Sequence, residues 1–156
     1  MTHSLTITQV PGMLVVRAGG AVLAETAAGL EATGTDEPSR WLPLAEAGNA
    51  LAAYRVGYMH ETGQGVPLDV RLAAHWYDKA AMAGQREAMA ALGSLFLHGF
   101  GVTQDYNRAY VLLSLATAHG ATGAVGLRDR AASFLSPDQL ATLEREASRR
   151  FEHQRP

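Results

Sequence analysis

Two stretches decide the fold: GQGVPLD (residues 63–69) and GFGVTQD (residues 99–105). Closely spaced glycines ahead of an acid invite reading as a loop that holds phosphate. A Walker loop needs Gly-x-x-x-x-Gly-Lys-Ser/Thr, and here the lysine is missing; a Rossmann fingerprint needs a third glycine and a preceding strand. Leu68 and Gln104 fill the next positions, and helical patterns precede both stretches. A turn between helices accounts for every residue instead. Gly63, Gly65, Gly99 and Gly101 reverse the chain, Val66 and Val102 plug the helix junction, and Asp69 and Asp105 cap the helix that follows.

The two stretches stand 36 residues apart, and the same offset relates Ala52 to Ala88, Gly57 to Gly93, Ala73 to Ala109 and Ala80 to Ala116. It also links Gly48, Gly84 and Gly120. A series at one fixed spacing marks an internal repeat. Each copy reads as two helices. Ala88, Ala91, Leu92, Leu95 and Phe96 make one apolar stripe, and Ala109, Leu112, Leu113 and Ala116 make its partner. Ala73, Trp76, Tyr77, Ala80 and Ala81 supply the equivalent stripe in the first copy. A glycine inside a helix costs about 1 kcal/mol relative to alanine, so Gly57 and Gly93 are expected where paired helices approach closely.

The ends of the array are irregular, as capping units are. RWLPLAEAG aligns with WYDKAAMAG as a half-repeat over residues 41–48, with Pro43 expected to limit how far its helix extends upstream. Full repeats run from about 49–84 and 85–120, and a degenerate one from 121–135, where Arg128 and Asp129 replace Leu92 and Gly93. Residues 136–156 form a capping helix. Ser136, Pro137 and Gln139 have capping-box spacing, and Leu140, Leu143, Ala147 and Phe151 provide a sealing stripe. Residues 1–40 read as a β-type extension and linker: SLTIT alternates, MLVVRAGGAVLAET suggests two strands around Gly19–Gly20, and GTDEPSR is rich in turn formers. The fold class is therefore mainly α, a solenoid of helix–turn–helix repeats with a short N-terminal β-hairpin.

These residues resemble the Sel-one-like repeat family, a relative of the tetratricopeptide repeats. The resemblance rests on A-x-x-x-L-G-x-x-F-x-x-G-x-G-V-x-x-D (residues 88–105) and A-x-x-W-Y-x-K-A-A-x-x-G (residues 73–84), and covers about residues 41–134. LRDRAASFLSPDQLA also resembles the way bacterial arrays of this kind finish. The resemblance implies a right-handed α-solenoid serving as a protein-interaction scaffold or adaptor, without catalytic residues. His60 departs from the pattern at the position that Phe96 fills in the second copy. Residues 16–43 resemble the start of a small all-β bacterial domain of unknown function, which competes with the half-repeat for Trp41 and implies no activity.

In the related tetratricopeptide fold the first helix of each pair lines the concave face. Anchored on Gly57 and Gly93, that face receives Leu51, Tyr54, Tyr58 and Glu61 from one copy and Glu87, Ala90, Ser94 and Leu97 from the next, with His98 beside them. Tyr54, Tyr58, Glu61, Glu87, Ser94 and His98 are the candidate contacts for a protein or peptide partner, since tyrosine combines contact area with a hydroxyl. The alternative is that all six are ordinary surface or core-edge side chains.

Other chemistries find little support. The chain has 156 residues, 47% hydrophobic and 18% charged, with a net charge of −2: a globular composition without the basic excess of a nucleic-acid binder. It has no cysteine, which removes disulfides and thiolate chemistry. His60-Glu61 would need a second histidine at position 64 to make a zinc-protease motif, and Gln64 stands there. His75, His98 and His119 fall on different elements, so no metal or cofactor is expected. Ser94 and Ser114 lack the elbow of a serine nucleophile. Arg145, Arg149, Arg150 and Arg155 are interleaved with glutamates, as on a solvated helix. No apolar run is long enough to span a membrane, and no secretory signal is legible, so a cytoplasmic location is expected. Two other functions stay open: a small-molecule or enzymatic site where the N-terminal segment meets the helices, and self-association into a homo-oligomer.

Overall fold

The structure, a computed structural model, describes residues 6–10, 13–18, 21–24 and 38–154. Three strands, β1 (Thr6–Val10), β2 (Met13–Ala18) and β3 (Ala21–Ala24), pair antiparallel in the order β1-β2-β3. Val10 pairs with Met13 and Ala18 with Ala21, and the register shifts between Val16 and Arg17. The expected turn at Gly19–Gly20 lies outside the described residues.

Seven helices follow among the described residues: α1 (Pro38–Glu46), α2 (Ala50–Thr62), α3 (Val70–Met82), α4 (Arg86–His98), α5 (Tyr106–Ala118), α6 (Ala124–Ala132) and α7 (Pro137–Gln154). Consecutive helices from α1 to α6 pack on one another, and α7 lies along α5. The architecture is a mainly α repeat solenoid. Its core is one continuous seam running from Trp41 and Leu44 to Leu143 and Ala147.

The 36-residue period governs the backbone as well as the side chains. Between α2 and α3, Gln64 N–H donates to Met59 O and Asp69 N–H to His60 O; between α4 and α5, Phe100 donates to Leu95 and Asp105 to Phe96. The other turn occurs three times. Asn49, Gln85 and Ala121 donate to Leu44, Ala80 and Ala116, with Gly48, Gly84 and Gly120 in the left-handed region beside them. Each of these bonds satisfies carbonyls that a helix end would otherwise leave unpaired.

The GxG turns act as the sequence predicts. Gly63 and Gly99 end α2 and α4 at φ 72° and 71°. Asp69 accepts from the N–H groups of Arg71 and Leu72, and Asp105 from that of Arg108, all at 3.0 Å. Val66 and Val102 lean on the core. Gly101 does more than turn: a Cβ there would lie 2.7 Å from the carbonyl carbon and oxygen of Val70. The second loop thus rests against the first turn of the preceding repeat's α3.

Gly57 and Gly93 lie where helices touch. A Cβ on Gly57 would meet the Tyr77 ring at 2.7 Å, and one on Gly93 would meet Leu113 Cγ at 2.7 Å. Tyr77 and Leu113 are themselves 36 residues apart, so the same notch in the first helix of each repeat receives one side chain from the second.

Two expectations need correction. Pro43 does not stop its helix from extending upstream: α1 begins at Pro38 and contains Pro43. Pro43 forgoes one i−4 bond, and burial of Trp41, Leu44 and Ala45 around it holds the helix. Because α1 starts at Pro38, the last three residues of GTDEPSR are helix, with proline at a first helical position that tolerates it. At the other end the capping box forms: Ser136 N–H donates to Gln139 Oε1, and Gln139 N–H to Ser136 Oγ. Arg128 and Asp129, at the positions of Leu92 and Gly93, pair with each other at 2.8 Å on the outer side of the short helix α6.

Candidate functional site

The notch at Gly57 organises the first repeat's open face. Tyr54, Tyr58 and Glu61 follow one another at i, i+4 and i+7 on α2, so they share one side of that helix. Tyr77 on α3 is fully buried, and its ring passes the bare Cα of Gly57. The hydroxyl reaches past the notch and donates to Glu61 Oε2 at 2.5 Å. The Tyr54 ring lies 5.7 Å from that of Tyr77, tilted by 32°. Tyr58 is 37% exposed, while Tyr54 and Glu61 are half-buried.

The electrostatics follow from burial. Burial pushes the Tyr77 hydroxyl well above the ordinary tyrosine value, and the hydrogen bond and charge of Glu61 push it further. Tyr54 is raised for the same first reason, and then by the carboxylate of Glu87 across the groove. Burial and the Glu61 carboxylate thus both favour the neutral, donating form of the Tyr77 hydroxyl.

Tyr54 and Glu87 are brought together. They line a shallow groove of about 600 Å³ with Leu51, Arg55, Arg86 and His119. Glu87 is answered locally, accepting from Arg86 Nε at 2.7 Å and from Gln85 Nε2 at 2.8 Å. Ser94 and His98 form a separate pair on α4: His98 Nδ1 lies 2.9 Å from the Ser94 carbonyl oxygen and 3.5 Å from its Oγ. The His98 ring stacks on Phe100, which is 61% exposed on the following loop. Leu97 differs from expectation: at 3% exposure it belongs to the core and not to an open face.

Sequence reasoning missed one feature. A cleft of about 270 Å³ is lined by residues of α3, α4, α5 and α7, among them Asp78, Phe96, Arg108, Leu143, Glu146 and Arg150. Arg108 lies over the Phe96 ring, and Arg150 pairs with Glu146 at 2.6 Å. No periodic signal announces it, because it depends on where α7 docks. Three histidines pack on aromatic rings: His75 on Trp76, His98 on Phe100 and His119 on Phe151. Among the described residues no group of three or more histidines and acids is placed to hold a metal, and no helix is long and apolar enough to cross a membrane.

Residues 50–85 and 86–120 match the Sel1 repeat family. The helical array is a Sel1-like repeat solenoid. The Sel1 array is similar to c5321, a protective antigen present in uropathogenic Escherichia coli strains and displaying an SLR fold, with 26% identity and a TM-score of 0.70 over 78% of this chain and 27% of that one. It is also similar to a Sel1 repeat protein from Oxalobacter formigenes, at 32% identity and a TM-score of 0.57 over 58% of this chain and 68% of the other. Among curated proteins it is 44% identical over 52 residues to the ERAD-associated E3 ubiquitin-protein ligase component HRD3A of Arabidopsis thaliana, and 53% identical over 32 residues to HRD3B. Those matches cover 31% and 20% of this chain but only 8% and 5% of the relatives, so the chain spans a small part of those relatives' length.

Proposed function

We propose that this chain is a non-catalytic interaction module, an adaptor or scaffold that binds a protein or peptide on the face carrying Tyr54, Tyr58, Glu61, Glu87, Ser94 and His98. The observation that carries the reading is the Gly57 notch. An ordinary solenoid helix exposes charged side chains to water, whereas α2 presents two tyrosines and a carboxylate fixed from below by a buried hydroxyl. Such a surface is preorganised, so a partner loses less side-chain entropy on binding. Repeat arrays present rigid surfaces of this kind to peptides and proteins. The curated relatives support the class, since their names describe a component of a larger ubiquitin-ligase assembly.

The test is affinity capture from the native cell with wild-type protein beside a Tyr54→Ala/Tyr58→Ala variant whose helicity and Tm match. Loss of a wild-type partner from the variant supports the groove. Retention of every partner overturns it.

A further inference from the structure

We propose that the cup formed by Tyr54, Tyr58 and Glu61 above Tyr77 receives a cationic side chain, lysine or arginine, from an extended peptide. This rests on the interaction-module reading and adds the chemistry of the ligand. Three observations carry it, and all concern charge complementarity.

First, Glu61 is an acid without a basic partner. The ion pairs among the described residues are Arg86–Glu87, Arg108–Asp105, Arg128–Asp129 and Arg150–Glu146. Glu87, the acid that lines the groove beside Tyr54, already has Arg86. Arg55, which shares α2 with Glu61, holds its guanidinium 5.8 Å from the centre of the Trp41 ring. Second, Glu61 is the penultimate residue of α2, where unpaired carbonyls add negative potential to its own charge. An acid there is unfavourable for the helix and favourable for a bound cation. Third, the carboxylate is held in place. One oxygen accepts from Tyr77, which leaves the other for an incoming donor, and Tyr54 and Tyr58 stand on the same side of α2, with the Tyr54 ring 5.7 Å from that of Tyr77. Aromatic faces beside a fixed carboxylate suit guanidinium or ammonium groups.

The second repeat lacks all of this. Ala90, Ser94 and Leu97 stand at the positions of Tyr54, Tyr58 and Glu61, and Leu113 replaces Tyr77. The cup is thus a single site rather than one of a periodic series, and it selects one residue of a ligand.

The experiment is an amide-resolved NMR titration of the full chain with blocked glycine heptapeptides carrying a central arginine, citrulline or glutamate. Saturable shifts at Tyr58 and Glu61 with arginine, and none there with citrulline or glutamate, are expected. Glu61→Gln keeps an acceptor for Tyr77 and removes the charge; it is expected to weaken arginine binding about fivefold, the range of a partly exposed ion pair. Equal shifts from citrulline, or unchanged arginine affinity in Glu61→Gln, overturn the proposal. Partner capture separates the two levels. A partner lost from Tyr54→Ala/Tyr58→Ala but retained by Glu61→Gln overturns the cationic site alone, and a partner retained by both overturns the groove itself.

Discussion

The two full repeats share a backbone and differ in what fills the notch. In α4–α5, Leu113 packs against Gly93, and the residue one turn on, Leu97, is buried. In α2–α3, Tyr77 packs against Gly57, and the residue one turn on is Glu61, which takes the tyrosine hydroxyl. Both solutions fill the notch that the glycine leaves. Only the tyrosine ties a carboxylate of the first helix to the side chain in the notch. A repeat can therefore hold its architecture with glycines and alanines while the exchange of two leucines for a tyrosine and a glutamate turns a packing contact into a surface feature.

The largest predicted effect tests the part the two repeats share. Gly101→Ala puts a Cβ against the backbone of Val70 at a φ of 68°, where neither the loop nor α3 has a side chain to rotate aside. Left-handed strain and overpacking together predict a loss of about 2–5 kcal/mol, read from urea unfolding. A loss smaller than that of the helical variants below would break the view that this contact sets the spacing of the repeats.

The next tests address the difference. Tyr77→Phe removes a hydrogen bond to a charged group and should cost about 1.5–3 kcal/mol. It should also flatten the alkaline limb of the stability curve. Tyr77 holds its proton more tightly folded than unfolded, so its contribution is complete below a pH of about 10 and is lost as pH rises beyond that, towards the raised folded value. Tyr54 and Tyr110 contribute in the same direction, so the variant retains a shallower slope. An unchanged alkaline limb would deny the hydroxyl its role. Gly57→Ala and Gly93→Ala should each cost about 1–3 kcal/mol, with the first costing more. Tyr77 is a rigid ring tethered by Glu61, whereas Leu113 can shift its branch. Equal costs would mean that the tether adds no stiffness. Transplanting the pair as Leu97→Glu/Leu113→Tyr should cost less than its two single changes summed, as a double-mutant cycle measures.

The smallest effect returns to the shared frame. Asp69→Ala and Asp105→Ala each remove an N-cap and should cost about 1 kcal/mol by thermal or urea unfolding. Asp69 caps two N–H groups and Asp105 one, so any asymmetry should favour Asp69 as the costlier loss.

The period of 36 made the helical part legible, because each element recurs with its turn, cap and stripe. Val66, Asp69, Gly99 and Gly57 all act in the structure as their chemistry requires. Pro43 misled because its rule is local, whereas the helix is held by Trp41 and Leu44 against the next repeat. Leu97 misled for a related reason. Its equivalent Glu61 reaches the surface, and alignment alone assigns both to one face although only the acid is kept out of the core. The cup was half legible. Tyr54, Tyr58 and Glu61 share a helical face that any wheel displays, but the hydroxyl beneath them arrives from α3, through a gap that exists only because Gly57 has no side chain. The cleft beside α7 was not legible at all, since docking of the last helix depends on surfaces that no period records.

The contact of Gly101 with Val70 also bears on how such a chain can grow. The turns are closed by bonds of short reach, repeated unit after unit, and at this junction the absence of a single carbon sets how near one unit comes to the last. A further 36-residue unit carrying glycine at that place would dock with the same rise and the same angle. Units bearing a larger residue there would stand off and open the curve. The length of the array and its curvature are thus separately adjustable, the first by copying whole units, the second by one atom in each loop.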